Sequence, residues 1–507
     1  MKKTLSMLLA FSMLLGLLTT TAFAAKDTAH TITITNPANT YVYEAYQVFK
    51  GDLSEKTLSN VEWGAGVDGE ALLAELIKLE AYKDCKTASD VAEVLAGFND
   101  NSDSLEAFAA VVATKLKVVA GTSTVSASAT EGKYSYTINV TGDGYYFVKD
   151  QANSITGAES YTKYMLQVVK DITVESKSDV PTFQKKIKDT NDSVANSTTD
   201  WQDSADYDIG DDVPFQLTGM VAANYDDYTT YKFVFHDKES IGLTFNNDVK
   251  VYVDGVEITT GYEVVTEGLT DGCTFEVRFA DLKDITAVKA GSVITVEYTS
   301  KLNEKAVIGS AGNPNEARLE FSNNPNASGE GDTDNTGMTP WDKVIVFTYK
   351  TVINKVDEQG EALPGAGFTL YKKNAEGNYV AIGGELTGDD MTTFEWKGLD
   401  DGNYKLSETT TPAGYNTIAD IEFTISATHE ETADDPKLLT LTGGDKFTGE
   451  VDTNQKLTGT LKGDVVNQTG SVLPETGGIG TTIFYVLGGL MAVGAGVLLV
   501  AKKRMDA

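Results

Sequence analysis

The chain has 507 residues, 41% of them hydrophobic, with 41 Lys and Arg against 74 Asp and Glu, for a net charge of −33. So acidic an exterior excludes nucleic acid as a partner, because phosphate binding needs clustered Lys and Arg. Two cysteines, Cys85 and Cys273, exclude a disulfide framework, and three histidines leave little material for a zinc or histidine-based catalytic site, so no cofactor and no metal is expected.

The N-terminus opens with Lys2 and Lys3, the apolar run Leu5 to Leu18 and the small-residue stretch Ala22-Phe23-Ala24. These are the charged, apolar and cleavage regions of a secretory signal peptide, expected at 1–25 with cutting after Ala24 or Ala25. Length then sets about three domains. The first, expected at 26–178, starts with strand alternation at Thr31-Ile32-Thr33-Ile34 and Tyr41-Val42-Tyr43. Apolar residues at three- and four-residue spacing predict helices over 70–82, 88–98 and 105–118, and strands return at 134–140, 144–149 and 163–174. This unit is α+β.

From Pro181, short Val, Ile, Thr, Tyr and Phe runs at 249–253, 274–279 and 292–298 alternate with Gly, Asn and Asp turns, the pattern of a β-sandwich. The second domain is expected at 179–338, closing with the polar stretch 326–337. Its acidic run Asp203 to Asp212, like Asp332 to Asp334, lacks EF-hand spacing and reads as solvated loop or weak cation site.

A third β-rich domain is expected at 339–470. Strand alternation puts Lys355 on a face with Ile353, Glu408 with Tyr404 and Leu406, and Asn467 with Val465. Three polar groups would then enter an apolar core. Burial lowers the pKa of Lys and raises that of Glu, so the pair can rest as neutral amine and neutral acid. A neutral Lys355 amine can attack the Asn467 carboxamide while Glu408 polarises the carbonyl and shuttles protons, releasing ammonia and leaving an isopeptide. Alternation alone is equally compatible with three solvent-facing side chains. Residues Lys355-Val356-Asp357, Leu363-Pro364-Gly365-Ala366-Gly367-Phe368-Thr369-Leu370, Glu408-Thr409 and Val465-Val466-Asn467 resemble the CnaB-type domain of Gram-positive pilins and adhesins. That resemblance implies the Lys355–Asn467 crosslink with Glu408 as its acid.

The middle unit resembles the isopeptide-forming fimbrial domain of pilin shafts. In Phe183-Gln184-Lys185-Lys186-Ile187, Lys185 shares the face of Phe183 and Ile187. In Leu319-Glu320-Phe321-Ser322-Asn323-Asn324, Asn323 shares that of Leu319 and Phe321. The resemblance therefore implies a Lys185–Asn323 crosslink, with Asp237 as its acid and Asp211 or Asp212 as the alternative.

The chain closes, at 471–507, with Leu473-Pro474-Glu475-Thr476-Gly477, an uncharged run of about 20 residues that can cross a bilayer, and Lys502, Lys503 and Arg504. This resembles the cell-wall sorting signal of Gram-positive surface proteins, which implies sortase cleavage between Thr476 and Gly477. The exported product would be Lys26 to Thr476. Loss of Lys2, Lys3 and a net +2 at the tail takes its charge from −33 to −37. Shaft pilins supply the amine that resolves the sortase acyl-enzyme from a lysine between their first two domains, in a pattern similar to V-Y-P-K. Val174-Glu175-Ser176-Lys177 has that position, with Glu-Ser in place of Tyr-Pro. Lys177 is the candidate, with Lys170 and Lys163 as runners-up.

The expected fold is mainly β: an α+β domain followed by two Ig-like, CnaB-type sandwiches in an elongated chain. The resemblance to sortase-assembled major (backbone) pilins implies a secreted, wall-anchored fimbrial subunit, not an enzyme with a free substrate. Its implied partners are other copies of itself, a pilus sortase, peptidoglycan, and accessory pilins or host ligands. The alternatives are a monomeric wall-anchored adhesin and, in another class, a wall-anchored hydrolase.

Overall fold

The computed structural model describes residues 29–54, 57–99, 102–155, 159–168, 171–269, 271–326, 336–470 and 479–505; the expected leader, Lys170, Asp332 to Asp334 and the pentapeptide Leu473 to Gly477 lie outside them. The chain is mainly β, with sheets distributed over three successive units.

In the first unit, strand Ala29–Asn36 pairs antiparallel with Tyr134–Thr141 and parallel with Ile172–Glu175. A second sheet is built on Tyr43–Ser54, flanked by Thr57–Trp63 and Gly144–Asp150. Ile32, Ile34, Tyr43 and Tyr136 fill the space between the sheets. Three helices, α1 (Gly69–Leu76), α2 (Ala88–Ala96) and α3 (Asp103–Ala113), cover the other face of the second sheet around Phe49, Tyr82 and Phe108. Each start is capped by a side chain, from Asp68, Thr87 and Ser102, and Thr87 with Asp90 completes a capping box. Two helices are shorter than the periodicity predicts. Residues 70–82 split into α1 and a single 3₁₀ turn at Glu80–Tyr82, because Leu79 takes an extended conformation. The third stops at Ala113, where the Thr114 hydroxyl turns back to the Val111 carbonyl and Leu116 pairs with Val67.

The second unit is a sandwich. One sheet runs through strands Thr182–Ile187, Asp212–Met220, Val293–Leu302 and Lys250–Val253. The other contains Asp342–Phe347, Asn313–Ser322, Phe233–Glu239 and Phe275–Phe279. Phe215, Phe235, Phe275 and Tyr298 meet between them. Strand Asp342–Phe347 places the end of this unit near Thr348, not at the expected 338. Its Val344 and Val346 enter the second core, while Ile345 and Phe347, on the opposite side of the same strand, enter the third. Two-residue alternation thus lets one strand seal two cores.

The third unit is one ten-stranded sheet that folds over on itself, so that Phe368 and Phe394, from strands near opposite ends of its order, meet edge to face at 4.9 Å. Its first strand, Tyr349–Val356, pairs parallel with its last, Leu457–Val466. After it comes α4 (Ile479–Met505), whose exposed stretch Ile483–Lys502 is long and apolar enough to cross a bilayer.

Candidate functional site

Two buried constellations and one domain junction carry the candidate chemistry. In the third unit, Lys355 and Asn467 are 0% exposed, and Glu408 is buried between them in sequence on strand Gly402–Thr410. The parallel register sets Lys355 opposite Val465. Lys355 Nζ donates to Val356 O at 3.0 Å and to Val465 O at 3.1 Å, and the same Val356 carbonyl accepts the Asn467 backbone N–H at 3.1 Å. Asn467 Nδ2 donates to both Glu408 oxygens, at 2.8 and 3.1 Å, and to Asn416 O at 3.0 Å, while its buried Oδ1 has no partner. Burial pushes the Lys355 amine below its ordinary pKa, with Glu408 and Asp357 opposing. A lowered amine pKa beside an amide carbonyl without a donor is the state that acyl transfer to nitrogen needs.

The second unit has the same logic with a different amide. Lys185 and Asp237 are fully buried, and Lys185 Nζ donates to Asp237 Oδ2 at 2.5 Å and to Tyr298 OH at 2.7 Å. Tyr298 OH donates on to Asp237 Oδ2 at 2.6 Å and accepts Asn315 Nδ2 at 3.0 Å. Asn315 is 0% exposed and its Oδ1 has no partner. Burial lowers the Lys185 pKa and raises that of Asp237, each opposed by the other's charge, so both move toward the neutral form. The alternative acids stand elsewhere: Asp212 pairs with Lys301, and Asp211 closes the turn at Asp208.

In place of the expected Asn323, the structure brings Asn315 to the Lys185, Asp237 and Tyr298 cluster. Both asparagines lie on strand parity with Leu319 and Phe321, so alternation cannot separate them. Register does: Asp237 faces Ala317, two residues from Asn315, whereas Phe233 faces Phe321, which puts Asn323 beyond the other end of Asp237's strand. Eight residues of strand are about 27 Å. There Asn323 joins the first unit to the second, its carbonyl accepting Tyr161 N at 2.6 Å and its Nδ2 donating to Glu159 O at 3.4 Å. Tyr298 and Asn315 were missed at the sequence level. A second Asn of equal parity in Asn313-Pro314-Asn315 was the available signal.

Lys177 follows strand Ile172–Glu175 at that first junction and is half-buried. Its neighbours are fixed: Asn36 Nδ2 donates to Ser176 Oγ at 3.2 Å and to Ser178 Oγ at 3.1 Å. The Lys177 carbonyl accepts Lys163 N at 3.5 Å. Lys163 itself spans the junction, with Nζ 2.6 Å from Glu106 and 3.3 Å from Asp227.

At the second junction the acidic run is not a solvated loop. Asp203 and Asp206 are buried, and Lys372 of the third unit sits 2.5 Å from Asp208 and 3.4 Å from Asp400. Burial, with Asp189 and Asp401 nearby and His429 opposing, raises the Asp206 carboxyl to about 7, and burial beside Asp208 and Asp192 raises Asp211 to about 6. An unfolded aspartate loses its proton near 4. The folded state therefore holds extra protons between these values, and the stability they contribute is full below about pH 4 and is lost as pH rises through about 6 to 7. The thermal midpoint is expected to be higher at pH 5 than at pH 8, and Asp206→Asn is expected to narrow that gap by raising the pH 8 value. Calorimetric scans at the two pH values check this; a higher midpoint at pH 8 in the unsubstituted protein would refute it.

Comparisons with known proteins fit these features. Residues 349–437 match the SpaA family of prealbumin-like fold domains, and residues 465–506 match the LPXTG cell wall anchor motif of Gram-positive proteins. The trypsin-resistant surface T6 protein of Streptococcus pyogenes is 26% identical over 393 residues, 65% of this chain and 70% of that one. The structure of the T6 backbone pilin of S. pyogenes, described as a modular three-domain protein, superposes with a TM-score of 0.55 at 19% identity, over 88% of this chain and all of that one. The full-length major pilin SpaD of Corynebacterium diphtheriae covers 88% of this chain and 98% of its own at 16% identity and a TM-score of 0.48, a looser likeness on which nothing below rests. The chain is thus a cell-wall-anchored surface protein that carries a SpaA-type prealbumin-like domain and shares the modular fold of a backbone pilin.

Proposed function

We propose that this protein is the shaft subunit of a covalently polymerised pilus. A sortase takes Thr476 as a thioester, releasing Gly477 and the membrane span, and passes it to the Lys177 amine of another copy; a last transfer to a cell-wall amine fixes the fibre. The observation that carries this reading is the buried Lys355, Glu408, Asn467 set, which lies where the first and last strands of the third unit run side by side.

In each sandwich the neutral lysine amine attacks Cγ of the asparagine. The acid, Glu408 or Asp237, hydrogen-bonds the carbonyl oxygen as it becomes an oxyanion, then carries the proton lost by the lysine nitrogen to the departing amide nitrogen. One C–N bond forms, one breaks, and one ammonia leaves per crosslink. Tyr298 holds Lys185, Asp237 and Asn315 in a single hydrogen-bonded cluster and so acts as a positioning residue. Lys355–Asn467 would enclose 467 − 355 = 112 residues, and Lys185–Asn315 would enclose 315 − 185 = 130. Pulling force entering at one terminal strand of the third unit would leave at the other without passing through its interior.

Intact mass and peptide mapping of the exported chain test this. The expected result is a deficit of about 34 Da, two ammonia molecules, with Lys355 joined to Asn467 and Lys185 to Asn315. Asn315→Ala should halve the deficit and Asn323→Ala should leave it whole. Absence of any deficit refutes both crosslinks, and retention of the full deficit in Asn315→Ala refutes the assignment of that amide.

A further inference from the structure

On the outer face of the second sandwich, turned away from the Lys185 cluster, three kinds of metal donor converge beside a glutamate. His236 lies on strand Phe233–Glu239, directly opposite Glu276 on Phe275–Phe279. The turn leading into the second of these strands brings Asp271 and Cys273 over the same histidine. Asp271 Oδ2 stands 2.9 Å from His236 Nδ1 and 3.0 Å from Cys273 Sγ, and Glu276 Oε1 stands 3.2 Å from His236 Nδ1. His236 is only 6% exposed. Its other ring nitrogen, Nε2, is 3.4 Å from Glu320 Oε2, and Lys232 holds the second Glu320 oxygen at 3.0 Å.

We propose that His236 Nδ1, Asp271 and Cys273 Sγ form a three-ligand binding site, bordered by Glu276 and completed by water, for one zinc ion or a divalent transition ion of the same borderline class. Bonds of about 2.0 to 2.3 Å in a tetrahedron separate neighbouring ligand atoms by roughly 3.3 to 3.8 Å. The separations that meet at Asp271 Oδ2, 2.9 Å to His236 and 3.0 Å to Cys273, need to open by less than about 1 Å to accept the ion. A thiolate and an imidazole among the ligands select against calcium and magnesium, which prefer all-oxygen sets. Glu320 accepting the Nε2 proton leaves the Nδ1 lone pair for the metal, the usual carboxylate-to-histidine support of a ligand. Two cations border the site. Arg278 Nε binds the outer Glu276 oxygen at 2.5 Å, leaving Oε1 to face His236, and Arg318 approaches Asp271 Oδ2 at 3.5 Å while resting over Trp341. On binding, the Cys273 thiol gives its proton to solvent and the ion clips the Asp271–Cys273 turn to the sheet. The scarcity of histidine suggested no metal, but one histidine suffices when a sulfur and a carboxylate join it.

The full-length chain, purified in detergent and stripped with a chelator, should bind about one zinc per molecule in competition with a chromogenic chelator. Cobalt in its place should show a thiolate charge-transfer band, and excess calcium or magnesium should displace neither. Cys273→Ser should remove the band and His236→Gln the binding, while Glu320→Gln should weaken affinity by roughly 10- to 100-fold. A readout free of substitution uses the native chain: zinc should slow alkylation of Cys273 by at least about tenfold and leave Cys85 unchanged, as seen by peptide mapping. Substoichiometric binding, binding undiminished in both Cys273→Ser and His236→Gln, or equal alkylation of Cys273 with and without zinc would overturn the site.

Discussion

Lys355→Ala should leave the third unit uncrosslinked and restore about 17 Da to the mass of the chain. Its unfolding midpoint should fall by about 15 to 20 °C, because opening a 112-residue loop releases roughly 4 to 5 kcal/mol of unfolded-chain entropy on the loop-closure account. Part of any loss in this variant comes from removing a buried side chain. Glu408→Gln separates the two effects, since it keeps the shape of the acid but cannot deliver the proton. Both variants should show the same restored mass, with the smaller midpoint loss in Glu408→Gln reporting the crosslink itself. Force measurements give the larger contrast: the unsubstituted unit should not lengthen before the fibre breaks, whereas either variant should extend by on the order of 380 Å. A full deficit of about 34 Da against its own sequence mass in Glu408→Gln would show that the acid is dispensable and remove it from the mechanism.

Lys177→Ala should convert a ladder of covalent polymers on the producing cell into monomer, with the monomer still attached to the wall through Thr476. Lys177→Arg should do the same, because a guanidinium stays protonated and is no acyl acceptor at neutral pH. Lys163→Ala should keep the ladder, as its Nζ is engaged with Glu106 and Asp227 and it presents only its backbone to Lys177. Immunoblots of wall extracts read all three. A ladder that persists in both Lys177 variants would return the protein to the monomeric adhesin reading, in which Thr476 serves only to anchor it.

Which features were legible depended on how local their physics is. The expected leader, the sorting pentapeptide and the span are each read from fewer than about 30 consecutive residues. The β character of the second and third units followed from two-residue alternation; alternation grouped Lys185, Lys355, Glu408 and Asn467 with apolar neighbours, the resemblance pointed to Asp237, and all five are buried. Helices α1 and α3 came out shorter than their apolar spacing, because Leu79 turns extended after α1 and Leu116 pairs with Val67 after α3. The acidic run from Asp203 reads as solvated by composition, but it is the floor of a domain junction, a role that needs Lys372 and His429 from more than 150 residues away.

By itself the sequence determined that this protein is exported, anchored at its C-terminal end and mainly β, and that lysines enter its cores. Only the tertiary structure decided which asparagine meets Lys185. Asn315 and Asn323 are equivalent under a period of two, and strand register, set by the pairing of Asp237 with Ala317, is a relation between segments 80 residues apart. The same holds for the strand Asp342–Phe347 that seals two cores and for the meeting of His236 with Cys273. Local pattern fixes which way a side chain points; how far along its neighbour it lands is set by packing across the sheet.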